Sequence, residues 1–178
     1  MILFMGVAGA GKSIQGRMLA DQLGYPWLSS GEFLRMLVAG ERRKEMLAGR
    51  LLNDQEMVAV MQKVLNLIPS DEEFVLDGFP RTVAQTDWLL AQVKAGLLSM
   101  TAVFLLEASR EEVKKRLLER GRPDDHHEAI EERFREYEET ILPIIETLKE
   151  AGVQVYKIDG AKPVKEVHEN IMRVLGFN

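Results

Sequence analysis

The residues with the clearest chemical potential stand at the start of the chain. Gly6-Val7-Ala8-Gly9-Ala10-Gly11-Lys12-Ser13 fits the spacing G-x-x-x-x-G-K-[ST]. Consecutive bare amides at Gly9, Ala10 and Gly11 can wrap a phosphate, and a following helix N-terminus favours negative charge. Side chains would block that approach, so Gly6, Gly9, Gly11 and Gly16 are read as clearance for an anion. Lys12 would supply a mobile positive charge, and Ser13 would face a magnesium ion. The loop by itself means only that a nucleotide phosphate binds. A GTPase would want a base-reading Asn-Lys-x-Asp tetrad, and the sequence has none.

A second group of residues narrows the chemistry. "LDGFPRTVAQ" follows an apolar run, which places Asp77 at a strand end, suited to hydrated magnesium. Arg81 follows a rigid Gly-Phe-Pro turn that can aim a guanidinium. At about 100° per residue, Arg133 lies about 60° from the apolar stripe through Ile130, Tyr137 and Leu148. Arg116 and Arg120 fall on the side of Val113 and Leu117. Arginines beside a core-facing stripe need anionic partners. Acidic residues in an ion-pair network would serve, and a triphosphate would explain all of them together. His126, His127 and His168 are read as surface residues.

The elements that must position these groups alternate along the chain. "MILFMG" reads as a buried strand and "KSIQGRMLADQLG" as a helix closed by Gly24. "PWLSS" is a short extended piece, and the helical stretch from Glu32 is broken by Gly40. Asn53 and Glu56 stand at capping-box spacing ahead of a helix to Leu67, as do Ser109 and Glu112 ahead of one ending near Gly121. "EFVLDGFP", "MTAVFLLEA" and "VQVYKID" read as strands. Helices are predicted over Thr82 to Ala95 and Pro163 to Leu175, with a long one from Glu128 to Glu150 kinked by Pro143. Five short apolar strands separated by helices imply a parallel α/β sheet covered on both faces.

Composition fits one globular domain. The 178 residues are 46% hydrophobic and 29% charged, with net charge -5. An acidic chain does not suggest nucleic-acid binding. With no cysteine, disulfides and thiolate metal sites are excluded. The first apolar run is too short for a signal peptide or a membrane span, so a cytoplasmic setting and no membrane partner are expected.

Taken together, these motifs resemble the adenylate kinases, within the nucleoside monophosphate kinases, over nearly the whole chain. "GVAGAGKSIQ" is similar to the family's phosphate loop, "LSSGEFLR" to its monophosphate-binding turn, and "GRLLND" to the end of its monophosphate lobe. "DGFPRTVAQ" is the most specific signature. "RLLERGRPDD" with Arg133 looks like the triphosphate arginine set, and "DGAKPVKEV" like the final strand-to-helix turn. The resemblance implies a P-loop fold, three layers α/β/α, with strand order 2-3-1-4-5. It implies one kinase domain over 1–178, an inserted monophosphate lobe over 30–52 and a vestigial lid over 120–125.

The resemblance also implies roles. Gly9, Ala10, Gly11, Lys12, Ser13 and Ile14 would hold ATP phosphates, with Arg116 stacking on the donor adenine and the Lys162 backbone beside it. Ser30, Arg35, Leu52, Gly78, Arg81, Gln85, Arg122 and Arg133 would bind AMP. Arg120, Arg122 and Arg133 would neutralise the transferring phosphoryl group, and Asp77 would position magnesium through water. The implied reaction is MgATP + AMP ⇌ 2 ADP, without zinc, in a monomer or small homo-oligomer. Ser13-Ile14 stands where the family usually has Gly-Thr, Ser30 where it has Thr, and Glu32 where it has Asp. Only Gly121 separates Arg120 from Arg122, where long-lid members carry a small subdomain. Two other readings remain: a UMP/CMP kinase, and a nucleotide-binding module without turnover.

Overall fold

The computed structural model describes residues 1–37, 39–40, 53–69, 71–123 and 125–177; for Arg35 and Leu37 it describes the backbone only. Five strands form one sheet: β1 (Ile2–Met5), β2 (Trp27–Ser29), β3 (Val75–Asp77), β4 (Ala102–Glu107) and β5 (Val155–Asp159). Their order is β2-β3-β1-β4-β5, and every pair is parallel. The predicted α/β sheet and its order are therefore present. The helices are α1 (Lys12–Leu23), α2 (Ser30–Leu37), α3 (Asp54–Leu65), α4 (Val83–Lys94), α5 (Arg110–Arg120), α6 (His127–Glu136), α7 (Leu142–Glu150) and α8 (Val164–Val174).

Alternation along the strands divides the core into two layers. Leu3, Met5, Leu76, Val103 and Leu105 face one side, with residues of α3, α4 and α7 such as Met61, Leu89 and Ile144. Ile2, Phe4, Val75, Phe104 and Leu106 face the other, with residues of α1, α5, α6 and α8 such as Leu19, Leu117, Ile130 and Ile171. β1 lies centrally, between β3 and β4: the chain runs from β1 to β2 on one side of it, and from β3 it crosses to β4 on the other. The cleft of such a sheet opens where its strands end, at their carboxyl edge.

Local chemistry fixes the helix starts. The Asn53 side chain accepts from the Glu56 amide at 2.9 Å, and Ser109 from the Glu112 amide at 3.2 Å. These are the caps that the sequence spacing predicts. The long helix predicted over 128–150 differs. It is two helices, α6 and α7, joined by a π-helical turn over Tyr137–Ile141, with Pro143 in the first turn of α7. Proline lacks an N–H and crowds the carbonyl four residues back, so a widened turn ahead of it relieves the conflict. The turn also changes layers. Ile130 and Phe134 pack in one core layer, Ile141 and Ile144 in the other, and Tyr137 against both.

His168 also departs from expectation. It is buried, and its Nε2 lies 2.8 Å from Gln22 Oε1, tying α8 to α1. His126 and His127 are exposed as expected, and His126 caps α6. Among the described residues, no helix is long and apolar enough to cross a membrane.

Candidate active site

The loop between β1 and α1 closes tightly on the rest of the fold. A Cβ on Gly6, whose φ is +131°, would lie 2.2 Å from the Leu106 carbonyl oxygen. Gly11 precedes α1 with no side-chain cap bond, so an anion there would meet uncapped amides. Gly16 has a different reason from the one its spacing suggested. A Cβ there would lie 3.3 Å from both Trp27 Nε1 and Val75 Cγ1, so this glycine lets α1 pack on the sheet. The Lys12 ammonium lies across its own loop, donating to the carbonyls of Gly6 at 2.7 Å and Val7 at 2.9 Å. Burial pushes its pKa down to about 8; Asp77 and Glu136 oppose that shift, and Arg81 and Arg120 add to it.

The end of β3 supplies the opposite wall. Asp77 is 3% exposed and accepts from Ser13 Oγ at 2.6 Å and from Ser29 Oγ at 3.4 Å. Gly78, at φ +80°, follows it. Its carbonyl accepts from Ser30 Oγ at 2.5 Å and from Arg81 Nε at 2.9 Å. A Cβ on Gly78 would come within 2.6 Å of Ser30 Oγ. Arg81 Nη1 is 3.7 Å from Glu136 Oε1. Behind this wall, Gln85 is 2% exposed, accepting from the Arg81 amide and donating to Asp54 Oδ1, both at 2.8 Å.

Helices α5 and α6 bring the remaining arginines. Gly121, at φ +64°, ends α5, and a turn with Asp125 N–H on the Arg122 carbonyl at 2.8 Å leads to α6. Asp125 is buried at the centre of this joint. Arg120 grips it through two bonds of 2.8 and 2.6 Å, Arg133 Nη1 donates to it at 2.8 Å, and the Arg122 amide at 3.1 Å. Burial would raise the Asp125 pKa, but the bonds from Arg120 and Arg133 prevail and hold it well below the usual carboxylate range. Arg122 Nη2 reaches to 3.8 Å from Glu32 on α2. Arg116 donates to Glu112 at 2.7 Å and to the Gly160 and Ala161 carbonyls at 2.7 and 3.3 Å. The acidic partners weighed for these arginines are therefore present, and the arginines also face one space.

That space is a cleft of about 1210 Å³. The loop 6–13 forms its floor, with Ile14, Asp77, Gly78 and Arg81 on one side and Arg116, Arg120, Arg122, Arg133 and Lys162 on the other. Of the predicted residues, Ser30 and Gln85 sit behind the wall. Leu52 and the Arg35 side chain lie outside the described residues. Sequence reasoning missed Asp125 and Glu136. Glu136 stands three residues after Arg133, where a helix puts both on one face, and that spacing was the available signal.

A glycine cradle alone would serve many nucleotide-binding folds. Five arginines across from it, on the same cleft, belong to enzymes that move a phosphoryl group between two bound phosphates, the P-loop nucleoside monophosphate kinases. The family model described as adenylate kinase matches residues 4–153, and the chain belongs to that family. It is similar to the adenylate kinase of Prochlorococcus marinus (strain MIT 9211), 35% identical over 182 positions covering 99% of this chain and 97% of the relative. The adenylate kinase of Thermus thermophilus is 36% identical over 189 positions, with the same coverage. That of Archaeoglobus fulgidus is 28% identical over 211 positions covering 98% of this chain and 97% of the relative. An alignment longer than this chain means that relative carries residues with no counterpart here.

Proposed function

We propose that the chain transfers the γ-phosphoryl group of ATP to AMP, reversibly, giving two ADP. The observation that carries this reading is the convergence of Lys12, Arg81, Arg120, Arg122 and Arg133 on one cleft. Phosphoryl transfer asks for in-line placement and charge neutralisation, with little covalent work by the protein. The AMP phosphate is already a nucleophile near neutral pH, so no general base is needed.

The donor phosphates lie along Gly9, Ala10, Gly11, Lys12 and Ser13. Ile14, which is 54% exposed in the cleft, presents an apolar surface where a hydroxyl would otherwise meet the α-phosphate. Arg116, held flat by Glu112 and the β5–α8 turn, makes a platform for the donor base beside Lys162. The acceptor phosphate takes Arg81, with Arg35 from α2. Ser30 and Gln85 act by fixing the Gly78 carbonyl and the Arg81 backbone. Arg120, Arg122 and Arg133 surround the group in transit. Ser13 and Asp77 form an oxygen-only donor set that fits a hydrated magnesium ion. Bound there with ATP, the ion would supply further charge neutralisation. The short connection after Arg120 supports a nearly lidless enzyme whose donor site stays open.

The test is a coupled assay of ADP formation from ATP and each of AMP, CMP, UMP and GMP. AMP is expected to be the best acceptor. Lys12→Ala and Arg81→Ala are each expected to lower kcat by about 10³-fold or more, on the scale of arginine-finger effects. Turnover undiminished in both variants would refute the assignment.

A further inference from the structure

Glu136 is one of the carboxylates in the lining of the cleft, with Glu56, Asp77, Glu119 and Glu132, and the one that stands against Arg81. It occupies the last turn of α6, on the face that carries Arg133. Its Oε1 lies 3.7 Å from Arg81 Nη1, within ion-pair range but beyond a hydrogen bond, with side-chain exposures of 24% and 36%. The Arg81 guanidinium is already aimed by its Nε bond to the Gly78 carbonyl at 2.9 Å. Glu136 therefore contributes charge at Arg81 and little anchoring. Its field also reaches Lys12, where it favours the protonated amine.

We propose that the Glu136 carboxylate competes with the acceptor phosphate for Arg81, keeping AMP and ADP affinity at that subsite below what the arginine alone would give. This rests on the assignment of Arg81 to the acceptor phosphate. A phosphate dianion meets the guanidinium fork with more charge and two-point geometry, so it displaces the single long contact. Glu136 stays on its helix and repels the bound phosphate. Removing its charge strengthens binding of AMP and slows departure of ADP.

The experiment compares AMP and ATP affinities by titration calorimetry, with steady-state kinetics, in the wild type, Glu136→Gln, Glu136→Asp, Arg81→Ala and the double variant Arg81→Ala/Glu136→Gln. Glu136→Gln is expected to lower the AMP Kd about three- to tenfold and to lower kcat, with a smaller change for ATP. Glu136→Asp retracts the carboxylate by one methylene and is expected to lower the AMP Kd less; it decides the sign if the glutamine variant does not fold. In the Arg81→Ala background the gain should shrink to the part that comes from direct repulsion of the phosphate, and a gain as large as in the wild-type background would overturn competition for Arg81. If Arg81→Ala weakens AMP binding while the folded Glu136 variants leave it unchanged or weaker, the inference falls alone. If Arg81→Ala keeps wild-type AMP affinity, the acceptor-site reading falls and the inference with it.

Discussion

An ammonium with a pKa near 8 loses its charge within the range of ordinary assays. Lys12 in the free protein is protonated below about 8, and donor phosphates require the protonated form. The pH profile of kcat/KM for ATP, which reports the free enzyme, is expected to be flat through neutrality and to fall above about pH 8. The profile of kcat should hold to higher pH, because bound phosphates favour the charged amine. The stability consequence has the opposite sense. Unfolded Lys12 keeps its proton to about 10.5 whereas the fold releases it near 8, so ligand-free stability gains a rising contribution between those values. Asp125 acts in the same sense in a more acid window: its carboxyl is held low, so its contribution is complete above the ordinary carboxylate range and is lost progressively as the pH falls from that range to strongly acid values. Asp125→Ala leaves Arg120 and Arg133 without their shared carboxylate and is expected to cost about 2–4 kcal/mol in denaturant unfolding, with a fall in kcat. An unchanged midpoint and rate would remove Asp125 from both roles.

At the scale of elements, what was legible followed from backbone rules, and what was not depended on contacts distant in sequence. The strand ahead of Gly6, the caps at Asn53 and Ser109 and the helix from Lys12 could be read from spacing, and all are present. The π-helical turn could not, because it answers to Pro143 and to two core layers that Tyr137 bridges. Gly16 was assigned to phosphate because its partners, Trp27 and Val75, arrive only when α1 docks. The place of Arg81 in the cleft was legible from its turn, but those of Asp125 beneath Arg120 and Arg133 and of Glu136 beside Arg81 were not, since a carboxylate near arginines in sequence has many exposed alternatives. The turn after β3 carries a further expectation. Gly78→Ala would place a methyl 2.6 Å from Ser30 Oγ in a backbone region that side chains avoid. Displacing Arg81 with that turn is expected to raise the KM for AMP by about tenfold or more while that for ATP changes little. Equal effects on both substrates would argue against the separation of the two walls.

Across the whole molecule, stability and chemistry occupy different places. The two core layers lie between the sheet and its helices, and the cleft lies at the carboxyl edge. Ile171 of α8 is fully buried and away from the cleft lining, so Ile171→Ala is expected to lower stability by about 2–5 kcal/mol with KM values unchanged. Ligand linkage gives a complementary check. ATP at one hundred times its Kd should add about 2.7 kcal/mol to stability and raise the thermal midpoint, and the increment should vanish in Lys12→Ala. The joint between α5 and α6 bears on how the chain can be modified. Gly121 is exposed at the end of α5, with open space where a Cβ would stand. A reporter cassette spliced between Gly121 and Arg122 would enter at the rim of the cleft, leaving the strands' pairing untouched. Nucleotide occupancy would then be converted into an optical signal at a seam only a few residues long.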